Sequence, residues 1–122
     1  MTDASKSPLK GRHILVVEDD YLIADDLARS LEDLGVMVLG PAGSVADAMA
    51  LVAAGGPIDV GILDINLGSE KAFPVADALR QRSVPFVFAT GYDRWIIPGM
   101  YADVPRFEKP VDTRALARFL AT

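Results

Sequence analysis

Three carboxylates, a hydroxyl and an ammonium stand out in this chain because each sits at or just past the end of a run that reads as a strand. Glu18-Asp19 follows His13-Ile14-Leu15-Val16-Val17, and Asp64 closes Ile58 to Leu63. Thr90 closes Pro85-Phe86-Val87-Phe88-Ala89, and Lys109 follows Val104 to Glu108. Carboxylates gathered together repel one another and cost free energy when partly desolvated. A hard divalent cation relieves this, and Mg²⁺ suits a few carboxylates completed by water and a phosphoryl oxygen. A hydroxyl and an ammonium beside that cation could hold the other phosphoryl oxygens. This is the equipment of phosphoryl transfer, in which positioning and charge neutralisation do most of the work. Taken singly, each residue has a blander reading. Asp64 reads as a turn aspartate, Glu18-Asp19-Asp20 as a solvated charge run, Thr90 as a turn threonine and Lys109 as a surface lysine. What lifts the set above those readings is that all four strand ends fall on one edge.

That edge follows from the order of the elements. The first strand is His13 to Val17, apolar on consecutive positions, as strands covered on both faces are. Tyr21 to Leu34 reads as a helix whose stripe is Ile23, Leu27, Leu31 and Leu34, with Gly35 as its stop. Val36 to Leu39 is the second strand, broken by Gly40-Pro41-Ala42-Gly43. Ser44 caps a helix over 45–54, which Gly55-Gly56-Pro57 ends. The third strand ends at Asp64, and Leu67 to Lys71 reads as a loop. A third helix is expected from Pro74 to Arg82, with the proline in its first turn. The fourth strand ends at Thr90. Residues 91–103 give conflicting signals, because Trp95-Ile96-Ile97 favours burial while Pro98-Gly99 interrupts any helix. Val104 to Glu108 is a short edge strand, and Asp112 caps a last helix carrying Leu116, Phe119 and Leu120. Five βα units predict an α/β fold with a parallel sheet of order 2-1-3-4-5 and helices on both faces.

Composition narrows the function. At 122 residues and 51% hydrophobic, the chain suits one packed domain. Residues 1–11 are polar and read as a flexible leader, leaving 12–122 as a single domain with no output domain. A net charge of −5 argues against nucleic acid as a partner. The absence of cysteine excludes thiolate metal sites and disulfides. No apolar run approaches the roughly 20 residues of a membrane span, and no signal peptide is visible. A cytoplasmic monomer is the expectation.

With these residues placed, the sequence resembles the receiver domain of two-component response regulators from about Arg12 to Ala121. The matching stretches are Ile14 to Asp20, Ile62 to Asn66, Ala89-Thr90-Gly91 and Glu108-Lys109-Pro110. The resemblance implies that Asp64 accepts a phosphoryl group from a sensor histidine kinase. It implies that Glu18 and Asp19 organise Mg²⁺, with Asp19 the more direct ligand, together with Asp64 and the backbone carbonyl of Asn66. It further implies that Thr90 and Lys109 bind the phosphoryl oxygens and that Lys109-Pro110 is a cis peptide. The run Phe88-Ala89-Thr90-Gly91-Tyr92 resembles the Phe-Ala-Thr-Gly-Tyr subfamily, often single-domain regulators paired with HWE or HisKA2 kinases.

Two departures from commoner receivers matter. Leu67-Gly68 replaces the usual Met-Pro pair, and Arg106 stands where an aromatic switch residue is usual. A guanidinium is costly to bury without a partner. The expected signalling surface is therefore Tyr92, Trp95 and Arg106, with Thr90 drawing the Gly91-Tyr92 backbone toward the phosphoryl group. The expected role is a phosphoacceptor that changes its affinity for a downstream protein, or a phosphate sink, and not a turnover enzyme. A pseudo-receiver that only binds partners is one alternative. A Mg²⁺-dependent aspartyl phosphatase is another, but Asp64-Ile65-Asn66 lacks a second aspartate as general acid. A nucleotide or flavin carrier would need a Gly-rich loop after the first strand, which the sequence lacks.

Overall fold

The computed structural model describes residues 7–91 and 97–120. Five parallel strands form one sheet in the order β2-β1-β3-β6-β7. They are β1 (His13–Val17), β2 (Met37–Ala42), β3 (Val60–Asp64), β6 (Phe86–Thr90) and β7 (Arg106–Glu108). Setting aside a two-stranded antiparallel hairpin, β4 (Asn66–Leu67) with β5 (Glu70–Lys71), this is the expected 2-1-3-4-5 order. Alternation along each strand divides the core. Ile14, Val16, Ile62, Val87 and Ala89 face one side, where α1 (Tyr21–Asp33) and α4 (Thr113–Leu120) cover them. Leu15, Val17, Leu63, Phe86 and Phe88 face the other, under α2 (Val45–Ala53) and α3 (Phe73–Gln81). Every residue of β3 is buried, so the strand carrying Asp64 is the centre of the sheet.

The helix ends follow the sequence. Asp20 caps α1 by accepting from the amides of Leu22 and Ile23 at 3.0 and 3.1 Å. Ser44 caps α2 through Asp47 N–H, and Asp112 caps α4 through Arg114 and Ala115 N–H.

Four expectations change. Residues 7–11 are not a loose leader: Leu9 is 1% exposed in the α1–α4 core, and Gly11 N–H donates to Gly35 O at 2.8 Å. One apolar side chain in a polar stretch gives no periodic signal, yet it suffices to dock the segment. The second strand does not stop at Leu39 but runs through Gly40-Pro41 to Ala42. A register shift opposite Val16 absorbs Gly40, whose φ is +94°, and the Gly40-Pro41 peptide is cis. Proline is tolerated because β2 is an edge strand. The expected loop at 67–71 belongs instead to the β4–β5 hairpin, which starts at Asn66 and turns on Gly68 at φ +63°. The fifth strand is shorter than expected, starting at Arg106.

In the fourth crossover, the described residues form a 3₁₀ turn, Gly99–Tyr101. Tyr101 is 2% exposed, stacks on Phe73 with ring centroids 5.2 Å apart and donates its hydroxyl to Asp77 Oδ1 and Phe73 O. The Arg80 guanidinium lies over that ring, 4.9 Å from its centroid, and bonds Asp103 at 2.9 Å. These contacts fix the chain on α3 just before it enters β7.

A Cβ at position 40 would lie 2.7 Å from Ala42 N and 2.9 Å from Val16 O. Gly40→Ala is therefore expected to cost about 1–3 kcal/mol in backbone strain, with the backbone clash adding to it. Urea unfolding measures this. A cost of a few tenths would show that the bulge relaxes freely.

Candidate functional site

The acidic run after β1 divides into three tasks. Asp20 caps α1. Glu18 is 4% exposed, its amide paired to Ala42 O at 2.9 Å by the extended end of β2. Its Oε2 accepts from Asp20 N–H at 3.1 Å. Asp19 is exposed and lines the cavity above the sheet edge. Both Gly40 and Ala42 thus help place the acidic pair, a contribution that a Gly-Pro run conceals because it reads as a break.

Asp64, at the end of β3, is 5% exposed. Its Oδ1 accepts from Asn66 N–H at 3.1 Å and its Oδ2 from Lys109 Nζ at 2.9 Å. Lys109 Nζ also donates to Glu18 Oε1 at 2.9 Å. The ammonium follows β7, the carboxylates leave β1 and β3, and the parallel register brings all three to one edge. Thr90, half-buried at the end of β6, lines the same cavity, and its carbonyl accepts from Lys109 N–H at 2.8 Å. The Lys109-Pro110 peptide is cis, as expected from the resemblance.

Carboxylate oxygens of Glu18, Asp19 and Asp64 lie within 4.8 Å of one another. Lys109 compensates one charge and leaves the other two. Burial raises the Glu18 carboxyl above its ordinary 4.5, and the neighbouring Asp64 raises it further, against the Lys109 and Asp20 hydrogen bonds. Burial alone would lower Lys109; its bonds to Glu18 and Asp64 outweigh that and hold it above its ordinary 10.5. The cavity, about 320 Å³, is lined by Asp19, Asp64, Asn66, Gly68, Thr90 and Lys109, among others. An all-oxygen, net-negative donor set with space for water fits a hard divalent cation.

The structure therefore brings Asp19, Asp64, Asn66, Thr90 and Lys109 to one cavity, with Glu18 buried beside it on Lys109. Arg106 lies apart from it, exposed on the edge strand in register with Phe88. Tyr92 and Trp95 lie outside the described residues. Lys71 was not foreseen. Its Nζ donates to Asn66 Oδ1 at 3.0 Å, a contact made only because the hairpin pairs Asn66 with Lys71.

The family model of the response regulator receiver domain matches residues 14–119. The chain belongs to this family. Receiver domains are signalling modules of two-component systems, not turnover enzymes. Sensory transduction protein LytT of Bacillus cereus is 32% identical over 111 residues, 88% of this chain and 45% of that protein. Phyllosphere-induced regulator PhyR of Methylorubrum extorquens is 34% identical over 88 residues, 70% of this chain and 33% of that protein. The receiver thus spans less than half the length of these curated relatives. The solution structure of SdrG from Sphingomonas melonis Fr1 is 45% identical, with a TM-score of 0.79 over 94% of this chain and 96% of that one. Among the described residues, no helix of the receiver is long and apolar enough to cross a membrane.

Proposed function

We propose that this receiver takes a phosphoryl group from a histidine kinase onto Asp64 and signals through altered protein binding or by draining the kinase. The observation that carries the reading is the paired placement of Asp64 and Lys109 beside Asp19 in an open, net-negative cavity. In the transfer, an Asp64 carboxylate oxygen attacks phosphorus in line. The P–N bond breaks, and its electron pair returns to the kinase imidazole. Lys109 and the Thr90 hydroxyl are suited to hold the phosphoryl oxygens as charge moves onto Asp64.

Mg²⁺ would be held by Asp19, Asp64 and the Asn66 carbonyl. When bound, it supplies neutralisation of the phosphoryl charge. Glu18, held by Lys109 and by Asp20 N–H, would help organise the metal beside Asp19 while fixing Lys109 and shaping the site. A metal bound only to the native state stabilises it, by about 2.7 kcal/mol at 100 times Kd. Asp19→Ala is expected to remove most of the Mg²⁺-dependent rise in melting temperature. Equal rises in variant and wild type would refute the ligand assignment.

The run Phe88 to Tyr92 supports the Phe-Ala-Thr-Gly-Tyr subfamily. An HWE or HisKA2 kinase is then the donor. The exposure of Arg106 supports an output surface that does not use the usual aromatic switch. The whole reading is tested with acetyl phosphate and Mg²⁺. Intact-protein mass spectrometry should show one added phosphoryl group, labile to hydroxylamine. No adduct under these conditions would favour the pseudo-receiver alternative.

A further inference from the structure

The hairpin after Asp64 is held from two sides. Outside, Glu70 Oε2 accepts from Val45 N–H at 3.2 Å, which ties β5 to the start of α2. Inside, Lys71 Nζ donates to Asn66 Oδ1 at 3.0 Å across the Asn66–Lys71 pair. Ala72 N–H donates to Ile65 O at 2.9 Å and closes the base of the loop. The residue two beyond the phosphoacceptor therefore has both its backbone and its side chain fixed. Its amide N–H is on Asp64 Oδ1, and its side-chain oxygen is on an ammonium.

We infer that Lys71 is a positioning residue that sets the lifetime of the phosphoryl group on Asp64, acting through the side-chain amide of Asn66. This rests on the phosphoacceptor reading above. A carboxamide has an acceptor end and a donor end. With Oδ1 committed to Lys71, the donor end, Nδ2, is the part left for the cavity that Asn66 lines. A donor there can bond a phosphoryl oxygen but cannot accept a hydrogen bond from attacking water. Without Lys71 the amide is free to turn and offer Oδ1 to that water. Hydrolysis of the acyl phosphate breaks its P–O bond to Asp64 and delivers water oxygen to phosphorus, releasing inorganic phosphate. An acceptor aimed at the water assists this step.

The test follows decay of protein phosphorylated with acetyl phosphate and Mg²⁺, after the donor is removed. Lys71→Met is expected to speed decay about 3–10-fold, the scale of one ordinary hydrogen bond offered to the attacking water. Lys71→Arg should restore the slow rate. In an Asn66→Ala background, Lys71→Met should have no effect on decay. In the metal-free protein, the Asn66 side-chain ¹⁵N–¹H₂ signals should move in Lys71→Met, while melting temperature and Mg²⁺ affinity stay near wild type. If wild type is phosphorylated and Lys71→Met decays at its rate, or the effect persists without Asn66, the positioning role is overturned and the phosphoacceptor reading stands. If wild type takes no phosphoryl group, both fall.

Discussion

Asp64→Asn is expected to abolish phosphorylation by acetyl phosphate or a kinase, a loss of about 10³-fold or more in rate, as when other covalent nucleophiles are removed. An amide oxygen lacks the charge needed to attack phosphorus. The fold should survive, because Asn matches Asp in size and its oxygen can still accept from Asn66 N–H. Repulsion among three carboxylates would by itself make the substitution stabilising without metal. Lys109 alters that expectation, since it already joins Asp64 to Glu18. Asn loses a charge-assisted bond worth about 1.5–3 kcal/mol but relieves the Glu18–Asp64 repulsion, so the two effects largely offset. Melting without Mg²⁺ should therefore change little, while the Mg²⁺-dependent rise shrinks. Residual phosphorylation at near wild-type rate would place the acceptor elsewhere. A drop of many degrees would make Asp64 a structural residue.

The sheet and its acidic edge were legible because strong, local signals specify them. Consecutive apolar residues in β1, β3 and β6 mark central parallel strands, and caps at Ser44 and Asp112 mark helix starts. The order of the elements then puts Glu18, Asp64, Thr90 and Lys109 together. What was not legible depends on partners distant in sequence or on one residue in a polar stretch. Lys109 meets Glu18 across 91 positions and Asp64 across 45, so only the topology reveals it as a bridge. Gly40-Pro41 ordinarily ends a strand; here the bulge carries β2 far enough to hold Glu18. Lys71 looks like a loop lysine until the hairpin pairs it with Asn66. At Pro98-Gly99, where the local signals conflict, the described residues form a 3₁₀ turn whose Tyr101 is held by Phe73 and Arg80, both distant in sequence.

Lys109→Ala is expected to destabilise the metal-free protein by about 2–3 kcal/mol at neutral pH. Breaking a buried pair by removing one partner costs about 3–5 kcal/mol, and here the open cavity screens part of the charge left behind. Glu18 and Asp64 have side-chain exposures of only 3% and 6%, so both carboxylates would remain poorly solvated. The penalty has a pH signature. The Glu18 carboxyl is already raised above 4.5 by burial and by Asp64, and loss of the ammonium raises it further. A carboxyl with a raised folded pKa contributes stability that is present below its unfolded value and lost as pH rises through its folded value. The gap between variant and wild type should therefore be widest at neutral pH and narrow on acidification toward 4.5, as Glu18 takes up its proton. Mg²⁺ should bind the variant at least as well as wild type and recover part of the loss, because it supplies positive charge to the same carboxylates. Phosphorylated variant should nonetheless fail to reach the wild-type activated conformation, with one donor to the phosphoryl group missing. Urea unfolding at about pH 5 and at neutrality, with and without Mg²⁺, separates these effects. A penalty that is the same at both pH values and indifferent to Mg²⁺ would mean that Lys109 supports the fold through its packed stem, and that the bridge to Glu18 and Asp64 contributes nothing.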